Sequence, residues 1–390
     1  MFQRLQIFSF IVNLLLCVYV SHGQELKLDK EQLADLYQSQ QYQEAAVYLK
    51  GFYQEGAADQ KLLEGLAYCN RMVGNYAEAE RYYLELLNIN ENDLKTLLNL
   101  ASINFQRGRN QQAGNYYLKV LDQDSMHIGS YKALSTIAQM NGEIPLSHTY
   151  LSKANSLDPL DIDVAYELAI LDIADKRYGQ ADSILSLALS ADAENILLLK
   201  AKAQAKYGLQ DYKETIAIGE NLLEQGDQSD LLLNLLAPSY YFNNESEKCV
   251  NTLHILEERG DLKEAQLYYM AMSYKKLANH QASIDYIEKT LDIAISPNVA
   301  SYYFEKGDLL EKVNQNQKAL FAYRKSLEFK VIPITYYSLA LLYDHKMKKP
   351  KIALQYYNSY LATKPIGKEA SPYIGYVKQR ILELNKENQL

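Results

Sequence analysis

The chain predicts an all-α solenoid of about ten helical hairpins, on three observations. Ala45, Ala79, Ala113, Ser147, Ala181, Thr215, Cys249 and Ser283 follow one another at intervals of 34 residues; Ala319 comes 36 later and Ala353 another 34. Four residues after almost every one stands a larger side chain: Leu49, Tyr83, Tyr117, Leu151, Leu185, Leu253, Ile287, Tyr323 and Tyr357. In a helix that spacing puts both on one face. Upstream runs a second series of small residues, Ala67, Ala101, Ser135, Ala169, Ala203, Ala237, Ala271, Gly307 and Ala340, most of them preceded by Leu. A fixed period in this range marks an array of one supersecondary unit, each copy burying its apolar face on the next.

The N-terminus reads as an export signal. Arg4 supplies the positive start, Ile7 to Val20 an apolar run, and Ser21-His22-Gly23 the small residues of a cleavage site before Gln24. The run is short for a membrane span of about 20 residues. An uncleaved anchor and a lipid-modified Cys17 are the alternatives, although Leu16 is not the small residue that precedes such a cysteine.

The array occupies residues 24–367, with units starting near 26, 60, 94, 128, 162, 196, 230, 264, 300 and 333. Within each unit a short polar turn separates the helices, as in Gly74-Asn75, Gly108-Arg109, Asn141-Gly142, Lys176-Arg177, Gln210-Asp211 and Asn314-Gln315. Gly and Asn suit the left-handed position that ends a helix. Gly219 replaces the large residue of the sixth unit, which predicts the loosest copy, and Pro238 predicts a bend in the seventh. Ser296-Pro297 and Lys348-Lys349-Pro350 mark the breaks in register. Residues 368–390 form a C-terminal capping helix and tail: Ser371-Pro372 starts it, and Ile374, Val377, Ile381 and Leu384 line one face.

At this point the sequence resembles the tetratricopeptide repeat family. The copies that carry the resemblance are Leu66-Ala67 with Gly74-Asn75-Tyr76, Ala79 and Tyr83; Leu134-Ser135 with Ala154 and Leu157-Asp158-Pro159; and Tyr336, Leu339-Ala340 and Tyr343 with Ala353, Tyr357 and Pro365. It covers residues 26 to 365 as about ten copies, each weak alone and strong in phase. The family's frequent tryptophan is absent; Leu63, Leu97, Tyr131, Leu199, Leu233, Leu267, Tyr303 and Tyr336 fill its slot. The resemblance implies a right-handed superhelix whose first helices line a concave groove that takes a partner's peptide or helix. Transferred to this chain, the groove comprises Tyr166, Ile170, Tyr207, Tyr241, Tyr268, Met272, Phe304 and Tyr337, with Lys61, Glu64, Tyr68 and Arg71 at its early end. The set of Lys, Asn and Arg with which some family members clamp a terminal carboxylate is incomplete: Asn99 matches one place, but its expected partners read Glu64 and Tyr68.

Composition and charge narrow the function. The chain has 390 residues and a net charge of −8. Residues 24–195 hold 14 basic against 25 acidic side chains, a net −11; residues 300–390 hold 15 against 8, a net +7. Such charges serve solubility, or polarise the array for partners. An acidic chain without a continuous basic stripe argues against nucleic acid, and membrane contact is expected only if the N-terminal segment is retained. The 34 tyrosines suit half-buried slots at a solenoid edge. Cys69 and Cys249 stand at small-residue core slots, more than five units apart, and are expected to be buried thiols.

No catalytic site, metal site or cofactor is expected. His127, His148, His254, His280 and His345 have no second His or Cys at helical ligand spacing, and no phosphate-cradling glycine loop or nucleophile elbow occurs. The sequence therefore points to a non-enzymatic scaffold or adaptor that binds other proteins in the periplasm or at the inner face of an outer membrane. A carbohydrate- or small-ligand-binding envelope protein is the alternative, disfavoured because the insertions are only one or two residues long.

Overall fold

A computed structural model describes residues 28–55, 59–294, 296–365 and 371–387. The expected signal peptide, residues 1–23 with cleavage before Gln24, and the expected boundary at 367/368 lie outside the described residues. Every element among the described residues is helical. Ten hairpins follow one another: α1 (Lys30–Gln38) with α2 (Tyr42–Lys50), α3 (Gln60–Met72) with α4 (Tyr76–Ile89), α5 (Leu94–Gln106) with α6 (Asn110–Gln123), and α7 (Ile128–Met140) with α8 (Ile144–Leu157). Next come α9 (Ile162–Ala174) with α10 (Tyr178–Ala188), α11 (Ile196–Gly208) with α12 (Tyr212–Glu224), and α13 (Asp230–Phe242) with α14 (Ser246–Arg259). The last are α15 (Glu264–Lys276) with α16 (His280–Ile293), α17 (Val299–Lys312) with α18 (Asn316–Phe329), and α19 (Pro333–Leu341) with α20 (Pro350–Ala362). A final helix, α21 (Ser371–Glu387), stands alone. The architecture is an α-solenoid of helical hairpins. The chain divides into two compact units, residues 1–164 and 165–390.

Five consecutive first helices, α3, α5, α7, α9 and α11, start where a side-chain oxygen or nitrogen caps them. Asp59, Asp93, His127, Asp161 and Asn195 follow at intervals of 34, and each accepts a hydrogen bond from a backbone N–H two or three residues on. Such caps satisfy donors that the first turn leaves unpaired.

The turns inside the hairpins obey one geometry. Gln40, Gly74, Gly108, Gly142, Lys176, Gln210, Asn244, Ala278, Asn314 and Lys348 all have positive φ. The residue that follows donates its N–H five residues back, as in Asn75 N to Asn70 O and Gln315 N to Leu310 O, both at 2.8 Å. This is the Schellman closure of a helix end. Only three of the ten positions are Gly, so the closing backbone bond, repeated turn after turn, accompanies a conformation that L-residues disfavour at the others.

The seam between the two helices of each hairpin is made by the small residues. All ten, from Ala45 to Ala353, have no exposed surface. Where the small residue carries a hydroxyl, it is satisfied: Ser135 Oγ lies 2.8 Å from Ser147 Oγ and Ser283 Oγ donates to Ala271 O at 2.7 Å across the seam, while Thr215 Oγ1 donates to Asp211 O at 2.8 Å, one turn back on its own helix. In the unit formed by residues 1–164, one core runs from Ala45 and Leu49 through Leu63, Leu66 and Tyr83 to Leu100 and Ile103, and a second joins Ala101, Tyr117 and Leu134. In the unit formed by residues 165–390, a continuous core runs from Ala271 to Val377 and Leu384 of α21.

Three irregular places carry structural answers. Gly219 leaves no void: a Cβ there would lie 2.5 Å from Cδ2 of Leu236, a fully buried side chain of α13. The expected looseness of that copy is thus met by a neighbour that fills it. Pro238 sits inside α13, which continues as a helix to Phe242; Ser239 Oγ donates to Leu235 O at 2.6 Å beside it. The extra residue near Lys348 is absorbed by a π-helical turn, Leu342–Lys346, and the closing bond of that hairpin, Lys349 N to Tyr343 O at 2.8 Å, spans one residue more than the others. The extra residues at Ser296-Pro297 fall in the link between α16 and α17, so the turn geometry on either side is unchanged.

Candidate interaction surface

The first helices of the second unit bring a connected set of rings together. Tyr207 ends α11, Tyr212 opens α12, Tyr241 and Phe242 end α13, Tyr268 and Tyr269 stand in α15, and Tyr302 in α17. Tyr207 and Tyr212 meet with centroids 5.9 Å apart, and Tyr212 stacks on Phe242 at 4.7 Å. Tyr269 touches both Tyr241, at 5.1 Å, and Phe242, at 5.7 Å. Tyr268 links Tyr269, at 6.3 Å, to Tyr302, at 5.0 Å. Tilted and edge-on pairs at these separations are the favoured aromatic arrangements. Phe242 is 45% exposed, while most of the other rings are half-buried.

Most of the charge beside the rings is paired. Lys275 Nζ lies 2.5 Å from Glu305 and 2.7 Å from Asp308, and Lys312 reaches Asp308 at 3.3 Å. Burial works to raise the Asp308 carboxyl, but its bonds to Lys275 prevail and hold it below the usual carboxylate range. Lys276 Nζ stands 4.2 Å from the Tyr241 centroid and donates to Tyr241 O at 3.0 Å and Asn244 Oδ1 at 3.1 Å. Burial pushes the Tyr269 hydroxyl up to about 12, with Tyr207 and Tyr212 adding to it. Burial likewise raises Tyr268 far above its ordinary value. At neutral pH these phenols are donors without charge. The surface therefore offers apolar ring area and hydrogen-bond donors with little net charge.

The structure distributes the eight expected groove residues unevenly. Tyr207, Tyr241 and Tyr268 belong to the connected rings. Met272 is 5% exposed and lies in the core. Phe304 packs on Tyr323 of its own hairpin at 5.7 Å. Tyr337 is taken up by Tyr360, Tyr373 and Tyr376, at 5.7, 4.9 and 6.3 Å, so that α20 and α21 use its ring. Tyr166 and Ile170 are half-buried on α9, outside the connected set. Sequence reasoning missed Tyr212, Phe242, Tyr269 and Tyr302. The doublets Tyr241-Phe242 and Tyr268-Tyr269 were the available signal. Among the described residues, no group of three or more His, Cys, Asp and Glu side chains could hold a metal ion. No helix among them is long and apolar enough to cross a membrane. Cys69 and Cys249 are free and buried; burial pushes the Cys249 thiol up to about 11.

Comparison with known proteins gives short matches. A model of the tetratricopeptide repeat matches residues 300–330, and a model of the coatomer epsilon subunit matches residues 31–141. A TPR repeat-containing protein of Methanocaldococcus jannaschii is 29% identical over 100 residues, which are 25% of this chain and 17% of that protein, so the match spans about a sixth of the relative's length. Among solved structures, a tetratricopeptide repeat protein from Parabacteroides merdae aligns at 14% identity over 65% of this chain and 97% of its own, with a TM-score of 0.41. The C-terminal part of a TPR repeat-containing protein from Cytophaga hutchinsonii aligns at 17% identity over 68% and 95%, with a TM-score of 0.45. Small-residue seams kept in phase through ten hairpins, together with the repeat match across α17 and α18, support a tetratricopeptide repeat protein, a kind of fold that generally mediates protein–protein interaction.

Proposed function

We propose that this chain is a non-enzymatic protein–protein interaction scaffold of the bacterial cell envelope. It holds an extended peptide or helix of a partner against the connected rings of α11 to α15. One observation carries this reading: the linked rings of Tyr207, Tyr212, Tyr241, Phe242, Tyr268 and Tyr269 stand beside the paired charges of Lys275, Glu305 and Asp308. Aromatic residues are enriched among interface anchors, and paired charge does not oppose an apolar partner. Export rests on the leader-like pattern of Arg4, Ile7 to Val20 and Ser21-His22-Gly23.

Titration of the mature chain with candidate envelope proteins tests the surface. Tyr241→Ala combined with Phe242→Ala should weaken binding by about 2 kcal/mol or more. A variant that melts like the parent and binds with undiminished affinity would discard these rings as the contact. Mass spectrometry of the protein recovered from cell fractions tests the placement, because a mature form beginning at Gln24 is expected in the envelope.

A further inference from the structure

We propose that the first unit carries a binding site for a free apolar α-amino acid in the recess between α3, α4 and α5, independent of the ring surface. A cavity of about 230 Å³ there is lined by Glu64, Tyr68 and Arg71 of α3, Tyr83 of α4, and Lys95 and Asn99 of α5. This volume lies below the ~300–1,000 Å³ of sites for drug-sized ligands and suits a smaller molecule.

The cationic side has no carboxylate partner, although the Tyr83 hydroxyl bonds to Arg71. Arg71 Nε is fully buried without a hydrogen-bond partner, while the guanidinium lies 5.8 Å from the Tyr68 ring centroid. Among the described residues, neither Arg71 nor Lys95 takes part in an ion pair. The recess thus holds two cations without a carboxylate partner, which suits the carboxylate of a ligand. Asn99 donates one N–H to Lys95 O at 2.8 Å, which leaves its other amide hydrogen and its carbonyl oxygen.

The acidic side excludes a plain anion. Glu64 lines the same recess, and it accepts a hydrogen bond from the neutral Gln60 Nε2 at 3.0 Å. Asp93, the other carboxylate of the lining, is committed to capping α5 through Thr96 N at 2.8 Å. A ligand with only a carboxylate would meet repulsion from Glu64. One with an ammonium beside its carboxylate satisfies Glu64 and Arg71 together. The rings of Tyr68 and Tyr83 supply an apolar wall for its side chain, and burial pushes the Tyr83 hydroxyl up, against the influence of Arg71, so that it stays a neutral phenol.

Calorimetric titration of the full chain with L-phenylalanine, 3-phenylpropionate and 2-phenylethylamine tests the site. Phenylalanine should bind at least about tenfold more tightly than either analogue, since each analogue leaves one charged group unpaired. Arg71→Gln should weaken phenylalanine binding by about tenfold or more, and Glu64→Gln should erase the preference over 3-phenylpropionate. Glu64 is on the surface side of its helix, so Glu64→Gln keeps the test readable if Arg71→Gln melts early. Equal binding of phenylalanine and 3-phenylpropionate by the parent chain would overturn the inference in favour of a simple carboxylate site. Binding of none of the three probes in the millimolar range would overturn it outright.

Discussion

The turns of the second and tenth hairpins solve one problem with different residues. In the second, Gly74 takes the left-handed position and Asn75 N closes on Asn70 O at 2.8 Å. In the tenth, Lys348 takes it, an extra residue is present, and the closing bond from Lys349 N reaches Tyr343 O across a π turn. Both hairpins still bury their seams fully, at Ala67 and Ala79 in one and Ala340 and Ala353 in the other. The comparison teaches that the phase of the array is kept by the seam, while the turn adapts. The π turn also carries Asp344, 6% exposed, which Arg380 of α21 grips through two bonds, at 2.8 and 2.9 Å, while Tyr357 OH donates to it at 3.2 Å. The irregular hairpin thus ties down the helix that ends the described chain.

The largest effect should come from breaking that grip. Arg380→Met leaves a buried carboxylate uncompensated and should cost about 3 kcal/mol in denaturant unfolding, with Asp344→Leu added to it restoring most of the loss. The difference should depend on pH. Bonding to Arg380 holds the native Asp344 carboxyl below the usual carboxylate range, so its stabilisation is present above the ordinary value and is lost as pH falls through the native one. A gap between parent and variant that stays constant into acid would separate α21 attachment from this ion pair.

Overpacking the seam should cost less. A Cβ on Gly307 would lie 2.6 Å from the ring of Tyr323, which is 1% exposed. Gly307→Ala should therefore lower stability by about 1–3 kcal/mol, and Tyr323→Leu in the same chain should recover part of it. Equal melting of Gly307→Ala and the parent would show that the seam yields more readily than the turn. The smallest effects belong to the turns. Gly74→Ala should destabilise by about 1 kcal/mol, whereas Ala278→Gly and Lys348→Gly should each stabilise by roughly the same amount, because both residues already hold positive φ. A loss of stability at Lys348→Gly with a gain at Ala278→Gly would sharpen the contrast, assigning the tenth turn a need for its lysine side chain.

Much of the fold was legible because the array repeats. The small residues Ala45 to Ala353 must be small for two helices to meet, and a helix pair meets at one place per hairpin, so each copy reports the same constraint. The ring surface was legible only in part. Tyr207, Tyr241 and Tyr268 were readable from their helix positions, but Met272 and Tyr337 stand at the same positions and are covered. Whether an aromatic at such a position stays reachable depends on what packs over it, and for Tyr337 that is Tyr373 and Tyr376 of α21, some 36 residues or more away in sequence. The recess of Glu64, Arg71 and Lys95 was hidden for a similar reason, since its walls come from three helices.

The amino-acid sequence by itself determined the all-helical class, the hairpin period and the small-residue seams, because these follow from local spacing on a helix face. Only the tertiary structure decided which copy fills the space at Gly219, which turn absorbs the extra residue near Lys348, and which rings join into one surface. Those outcomes depend on side chains from neighbouring hairpins meeting in space, and such meetings follow from packing rather than from the period.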